Sequence, residues 1–252
     1  MPPQRIVSLV PSQTELLFDL GLDAEIVGLT KFCIHPSDKI GRKTIIGGTK
    51  TLHLDRIHAL RPDFIIANKE ENTREQIEEL QRHYPVHVTD VITLADALHM
   101  ITEVGNLVGR AQAADQMADE IERSFAEITP SDRGGHGKDT AAYFIWRNPW
   151  MVAAGNTFID SMLTAAGFRN AFGHLSRYPQ ISEADLRATD PDLIFLSSEP
   201  YPFKQNHIAE LQQVCPSARV MLVDGELFSW YGSRLLRSAA YFRQVHQTLS
   251  AE

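Results

Sequence analysis

The residues best equipped for chemistry in this 252-residue chain are flat rings at loop positions. Phe32, Trp146-Arg147-Asn148-Pro149-Trp150, Tyr201-Pro202-Phe203 and Phe228-Ser229-Trp230-Tyr231 each follow an apolar, strand-like run. Tyr178-Pro179 comes just before a helix start at Ser182. All three tryptophans belong to this set. Rings that miss the core form a flat, apolar receptor. Loops beyond the carboxyl ends of strands are also where open α/β sheets take ligands. Arg147 and Arg234 add positive charge suited to an anionic group on such a ligand.

Patterns for catalysis are missing. There is no Gly-x-Gly-x-x-Gly, no P-loop, no His-Glu-x-x-His and no Gly-x-Ser-x-Gly. The ten histidines are scattered, and Pro85 denies His83 and His87 a shared helical face. A bare metal site would need three or four His, Asp or Glu side chains converging on one point. Binding without catalysis, and without a metal held by the protein itself, is the expectation. The formal charge of −8 is spread along the chain, which argues against a nucleic-acid binder with a basic face. Cys33 and Cys215 fall one in each half, outside any Cys-x-x-Cys, and read as buried thiols more readily than as a cross-link.

The elements that must position the rings come in two related sets. Ile57-His-Ala-Leu-Arg-Pro-Asp-Phe-Ile-Ile-Ala67 and Leu186-Arg-Ala-Thr-Asp-Pro-Asp-Leu-Ile-Phe-Leu-Ser197 each read as a short helix, a Pro-Asp corner and a buried strand, half a chain apart. Arg5-Ile-Val-Ser-Leu-Val10 and Thr140-Ala-Ala-Tyr-Phe-Ile-Trp146 open the two halves in the same way. Strands alternating with helices imply βαβ units and mainly parallel sheets. Two such lobes create a cleft, the usual seat of a small ligand. Ser12-Gln-Thr-Glu15 and Thr73-Arg-Glu-Gln76 read as capping boxes opening helices. Asp55 and Glu183 begin matching helices, either to complement the helix dipole or to show a carboxylate to the arginines of a partner.

Between the halves, apolar residues recur at helical spacing from Leu94 to Phe125 with no proline. One continuous helix of about 35 residues, reaching roughly 50 Å, is expected. The domains are therefore placed at 1–91 (N-terminal lobe), 92–129 (inter-lobe helix) and 130–252 (C-terminal lobe), with an exit loop over 130–137. No apolar run is long enough to span a bilayer. Met-Pro-Pro-Gln-Arg runs straight into strand residues without a leader pattern. A cytoplasmic protein and a processed chain both fit that start.

Arg5 through Leu22, the Leu54-Asp-Arg-Ile block, the long helical middle and Ile181-Ser-Glu-Ala-Asp-Leu resemble the substrate-binding proteins of metal-chelate ABC importers, nearest to the cobalamin-binding member. The resemblance implies two Rossmann-like lobes joined by one backbone helix, the class III or helical-backbone receptor architecture. It implies a monomer that carries a corrinoid, or else haem or a ferric siderophore, to an ABC permease from the periplasm or cell surface. A cytoplasmic chelate-binding protein without a permease is the alternative. The ligand brings its own metal, and no cofactor is implied. The positions that would line the cleft are Pro11, Ser12, Phe32, Trp150, Tyr178, Trp230 and Tyr231, alongside Trp146 and Arg147 from the aromatic set. Asp55 matches the first-lobe acid that meets the permease. Ala184 stands where the second-lobe glutamate is usual, so Glu183 or Asp185 would substitute.

Overall fold

Short apolar runs without alternation suit strands covered on both faces, as in parallel sheets flanked by helices. The computed structural model describes residues 1–128 and 139–251. In these residues the chain forms two units, Met1–Val91 with Ala95–Glu122 and Trp230–Leu236, and Ile92–Leu94 with Arg123–Ser229 and Arg237–Glu252. The expected exit loop over 130–137 lies outside the described residues.

In unit 1, β1 (Ile6–Ser8), α1 (Pro11–Asp19), β2 (Ile26–Leu29), α2 (Ser37–Ile40), β3 (Thr44–Ile45), α3 (Leu54–Leu60), β4 (Phe64–Asn68), α4 (Arg74–Gln81) and β5 (Val86–Thr89) follow in turn. The strands are all parallel in the order β3-β2-β1-β4-β5. Winding reverses beside β1, so the carboxyl ends of β1 and β4 flank the place where such sheets usually bind.

α5 (Leu94–Leu107) and α6 (Ala111–Ala126) occupy the stretch expected as one helix. The expectation of a continuous rod is corrected by a Schellman turn. The Gly109 N–H donates to Asn106 O at 3.3 Å and the Arg110 N–H to Gly105 O at 2.7 Å. Gly109 takes φ +72°, which a side chain would oppose. Apolar spacing did not reveal the break, because each helix buries its own stripe (Ala97, Ile101 and Val104 in one, Ala114, Ala118 and Ile121 in the other).

Unit 2 holds β6 (Thr140–Trp146), β7 (Met151–Val152), α7 (Phe158–Ala166), β8 (Arg169–Asn170), α8 (Glu183–Thr189), β9 (Leu193–Ser197), α9 (Gln205–Val214), β10 (Arg219–Val223), α10 (Glu226–Ser229) and α11 (Leu235–Ser250). Its sheet runs β10-β9-β6-β7, with β8 also beside β6 and only β7 antiparallel. Thr157 caps α7 by accepting from the Asp160 N–H, and Gly167 ends it at φ +94°. The segment Trp230–Leu236 groups with unit 1.

The repeated Pro-Asp corner has the same job twice. α3 ends at Arg61 and α8 at Asp190, both left-handed (φ 46° and 41°). The Asp63 carboxylate then accepts from the Gln4 and Arg5 N–H groups, each at 2.8 Å, just ahead of β1. Asp192 accepts from the Thr140 N–H at 2.8 Å and hydroxyl at 2.7 Å, at the start of β6. Each aspartate thus pins the first strand of its sheet to the strand that follows the corner. The Thr140 bonds, backbone first, hold the Asp192 carboxyl below its ordinary 3.8. A lowered folded-state value stabilises above the unfolded pKa, and the effect is lost as pH falls through the folded one. Asp192→Ala is expected to cost about 1 kcal/mol at neutral pH, and urea midpoints should show that gap shrinking in acid. A gap independent of pH would contradict this role.

Candidate ligand surfaces at the strand ends

In unit 1, β1 passes through Leu9 and Val10 into Pro11, which opens α1 at a position where its missing N–H costs nothing. Ser12 is buried beside it. The loop after β4 is fixed by amides. The Asn68 N–H donates to Asn72 Oδ1 at 2.8 Å, and Asn68 Oδ1 accepts from the Glu70 N–H at 2.8 Å. Asn72 Nδ2 donates to Leu9 O at 3.3 Å and Thr49 O at 3.1 Å. The carboxyl ends of β1 and β4 are therefore tied together by side chains that no apolar pattern would reveal.

Ser12-x-x-Glu15 is not a capping box. Val10 is the cap residue of α1 and has no side-chain bond to offer. Glu15 is buried and takes two bonds from Arg234, Nε to Oε2 at 2.8 Å and Nη2 to Oε1 at 2.7 Å. Thr73-x-x-Gln76 is not one either: the Thr73 hydroxyl donates to Lys50 O, and Gln76 exchanges bonds with the backbone of Leu52. In both places tertiary partners outcompete the local cap.

Phe32 keeps its expected exposure, at 50%. Trp230 and Tyr231 do not, at 7% each. The Arg234 guanidinium lies 4.7 Å from the centre of the Trp230 ring, and His35 meets that ring edge-on at 5.5 Å. At Gly232 an added Cβ would stand 2.5 Å from Ser12 O, so only glycine lets this segment reach the start of α1. The two rings expected as open walls are instead buried, Trp230 beside the Arg234 that binds Glu15 of α1.

In unit 2, Trp146 is 40% exposed, and Trp150 and Tyr178 are half-buried. Trp150 stacks parallel to Phe203 at 6.2 Å and 8°, and meets Phe144 edge-on at 5.5 Å. Tyr201 stands edge-on to both Trp146 and Phe203. His207, on α9, packs against Tyr201 and Phe203 and accepts at Nδ1 from the Lys204 N–H at 2.9 Å. Arg147 lies 5.3 Å above Trp150 and is held by Glu210, Nε to Oε2 at 3.0 Å and Nη2 to Oε1 at 2.7 Å. Neither arginine offered by the sequence as a free positive charge is free. Glu15 and Glu210, which neutralise them, were missed because nothing in sequence spacing links residues so far apart.

The acids considered for partner contact differ in their commitments. Asp55 is exposed in the first turn of α3. Glu183 pairs with Arg187 at 2.9 Å, one turn along α8. Asp185 closes a true capping box, accepting from the Ser182 N–H at 2.8 Å and hydroxyl at 2.7 Å, bonds that hold its carboxyl below the ordinary range. Cys33 and Cys215 are both free and buried. Among the described residues no three His, Cys, Asp or Glu side chains group as a metal site, and no helix is long and apolar enough to cross a membrane.

A family model described as periplasmic binding protein matches residues 6–214. The vitamin B12-binding protein of Pectobacterium carotovorum is 23% identical over 99% of this chain and 89% of its own length. The periplasmic vitamin B12 binding protein BtuF of Vibrio cholerae superposes with a TM-score of 0.84 at 19% identity, over 100% of this chain and 99% of that one. The periplasmic heme-binding protein RhuT of Roseiflexus sp. RS-1 also reaches 0.84, at 21% identity and 98% of each chain. Structural likeness at these identities shows a shared fold.

Proposed function

This chain belongs to the periplasmic binding protein family, and on that premise we propose that it receives a corrinoid as cargo and delivers it to an ABC permease. The observation that carries the corrinoid reading is the set of partly open rings, Phe32 in unit 1 and Trp146, Trp150 and Tyr178 in unit 2, at strand ends whose arginines are already paired. A macrocycle that brings its own metal needs contact area and shape from its receptor more than ligating side chains. Pro11 and Ser12 contribute the rigid corner at the switch of strand order, which Gly232 approaches closely at Ser12 O. Asp55 is the proposed permease contact, with Glu183 as its counterpart on α8. Asp185 serves the helix cap instead. The vitamin B12-binding relative supports this reading.

Visible absorption titration of the purified chain with cyanocobalamin, haemin and a ferric hydroxamate tests it. Saturable binding of cyanocobalamin, tighter than of the other two, is expected. Preferential binding of haemin or of the hydroxamate would replace the corrinoid while keeping the family.

A further inference from the structure

We propose that Glu210 and Glu15 mask Arg147 and Arg234, so that this chain selects a chelate without carboxylates over one that carries them. The inference rests on the chelate-binding reading above and adds the chemical class that reading leaves open. Each arginine is bound through Nε and one Nη to both oxygens of one carboxylate. That geometry uses the fork that would otherwise grip a ligand carboxylate. Neither glutamate has its arginine on its own helix. Glu210, on α9, reaches Arg147 in the loop after β6, and Glu15, on α1, reaches Arg234 near the other end of the chain.

The remaining charges near the strand ends leave no positive surplus. In unit 1, Lys31, Lys50 and Lys69 are equalled in number by Glu70, Glu71 and Asp90; Lys69 pairs with Asp90 at 2.5 Å, Lys50 donates to Glu70 O, and Lys31 lies 5.0 Å from the centre of the Phe32 ring. In unit 2, Arg177 and Lys204 are outnumbered by Glu199, Asp224 and Glu226. A carboxylate brought to Arg147 gives up hydration and finds the guanidinium fork already taken, and that disfavours it without weakening a neutral ring.

The test compares matched pairs by absorption titration of the full chain. One pair is haemin and its dimethyl ester. The other is cyanocobalamin and the monocarboxylic acid made by hydrolysing one of its side-chain amides. In the ring that binds, the member lacking the carboxylate should bind about tenfold more tightly. Glu210→Gln keeps the shape and one acceptor for Arg147 but removes the mask, and should erase most of that preference. Glu120→Gln, at an exposed site on α6, removes the same charge elsewhere and should keep it. Equal binding within the corrinoid pair overturns the masking and leaves the corrinoid reading standing. Preference for the porphyrin ester with no corrinoid bound does the reverse. A folded Glu210→Gln with the wild-type ratio also overturns the masking, and no binding of any of the four ends both ideas.

Discussion

Glu15→Ala is expected to lower the stability of the chain by about 3–5 kcal/mol, the cost of leaving a buried charge without its partner. Glu15 and Arg234 are 4% and 5% exposed and share two short bonds. Removing the carboxylate takes both of these bonds from the buried guanidinium, which lies 4.7 Å from the centre of the Trp230 ring. Arg234→Ala should cost a similar amount for the mirror reason. Replacing both at once, Glu15→Met with Arg234→Leu, should cost clearly less than the sum, because apolar groups of like volume avoid both desolvated charges. Urea unfolding followed by tryptophan fluorescence measures all three. Additive losses in the double variant would mean that the two side chains stabilise the chain separately and not as a pair.

Trp150→Ala is expected to weaken chelate binding by about 1–3 kcal/mol while the chain stays folded. Trp150 is half-buried, with one face on Phe203 and Arg147 above its ring. Those neighbours fix its rotamer, so it is presented without the entropy loss that a loose side chain would suffer on binding. Titration of the variant with the chelate bound by wild type gives the affinity, and its far-ultraviolet dichroism checks the fold. Wild-type affinity in a folded Trp150→Ala would exclude that ring from the ligand surface. Trp230, grouped with it by sequence, is a poor choice for the same experiment, because at 7% exposure its removal perturbs α1 before it touches any ligand.

Much of the architecture was legible because it depends on local rules. Unbroken apolar runs and the alternation of strands with helices act within a few residues, and the Pro-Asp corner showed itself by repeating, although Asp63 and Asp192 bond residues 59 and 52 positions away. Small elements escaped notice: β3, β7 and β8 have two residues each and exist only because a neighbouring strand is there to pair with them. The split between α5 and α6 escaped too, since helical periodicity survives a turn that leaves both apolar stripes buried. The Gly109 at the turn was visible, but a glycine inside a helical pattern does not by itself announce a stop.

The sequence by itself determined the α/β class, the twofold repeat and the kind of residue gathered beyond the strands, because composition and short-range spacing carry that information. Tertiary structure alone decided which rings stay partly open and which become packing, and that Glu15 and Glu210 meet Arg234 and Arg147. The reason is physical: a side chain's exposure and its charge partner are set by segments that folding brings together from distant parts of the chain, and Glu15 and Arg234 come from opposite ends of it.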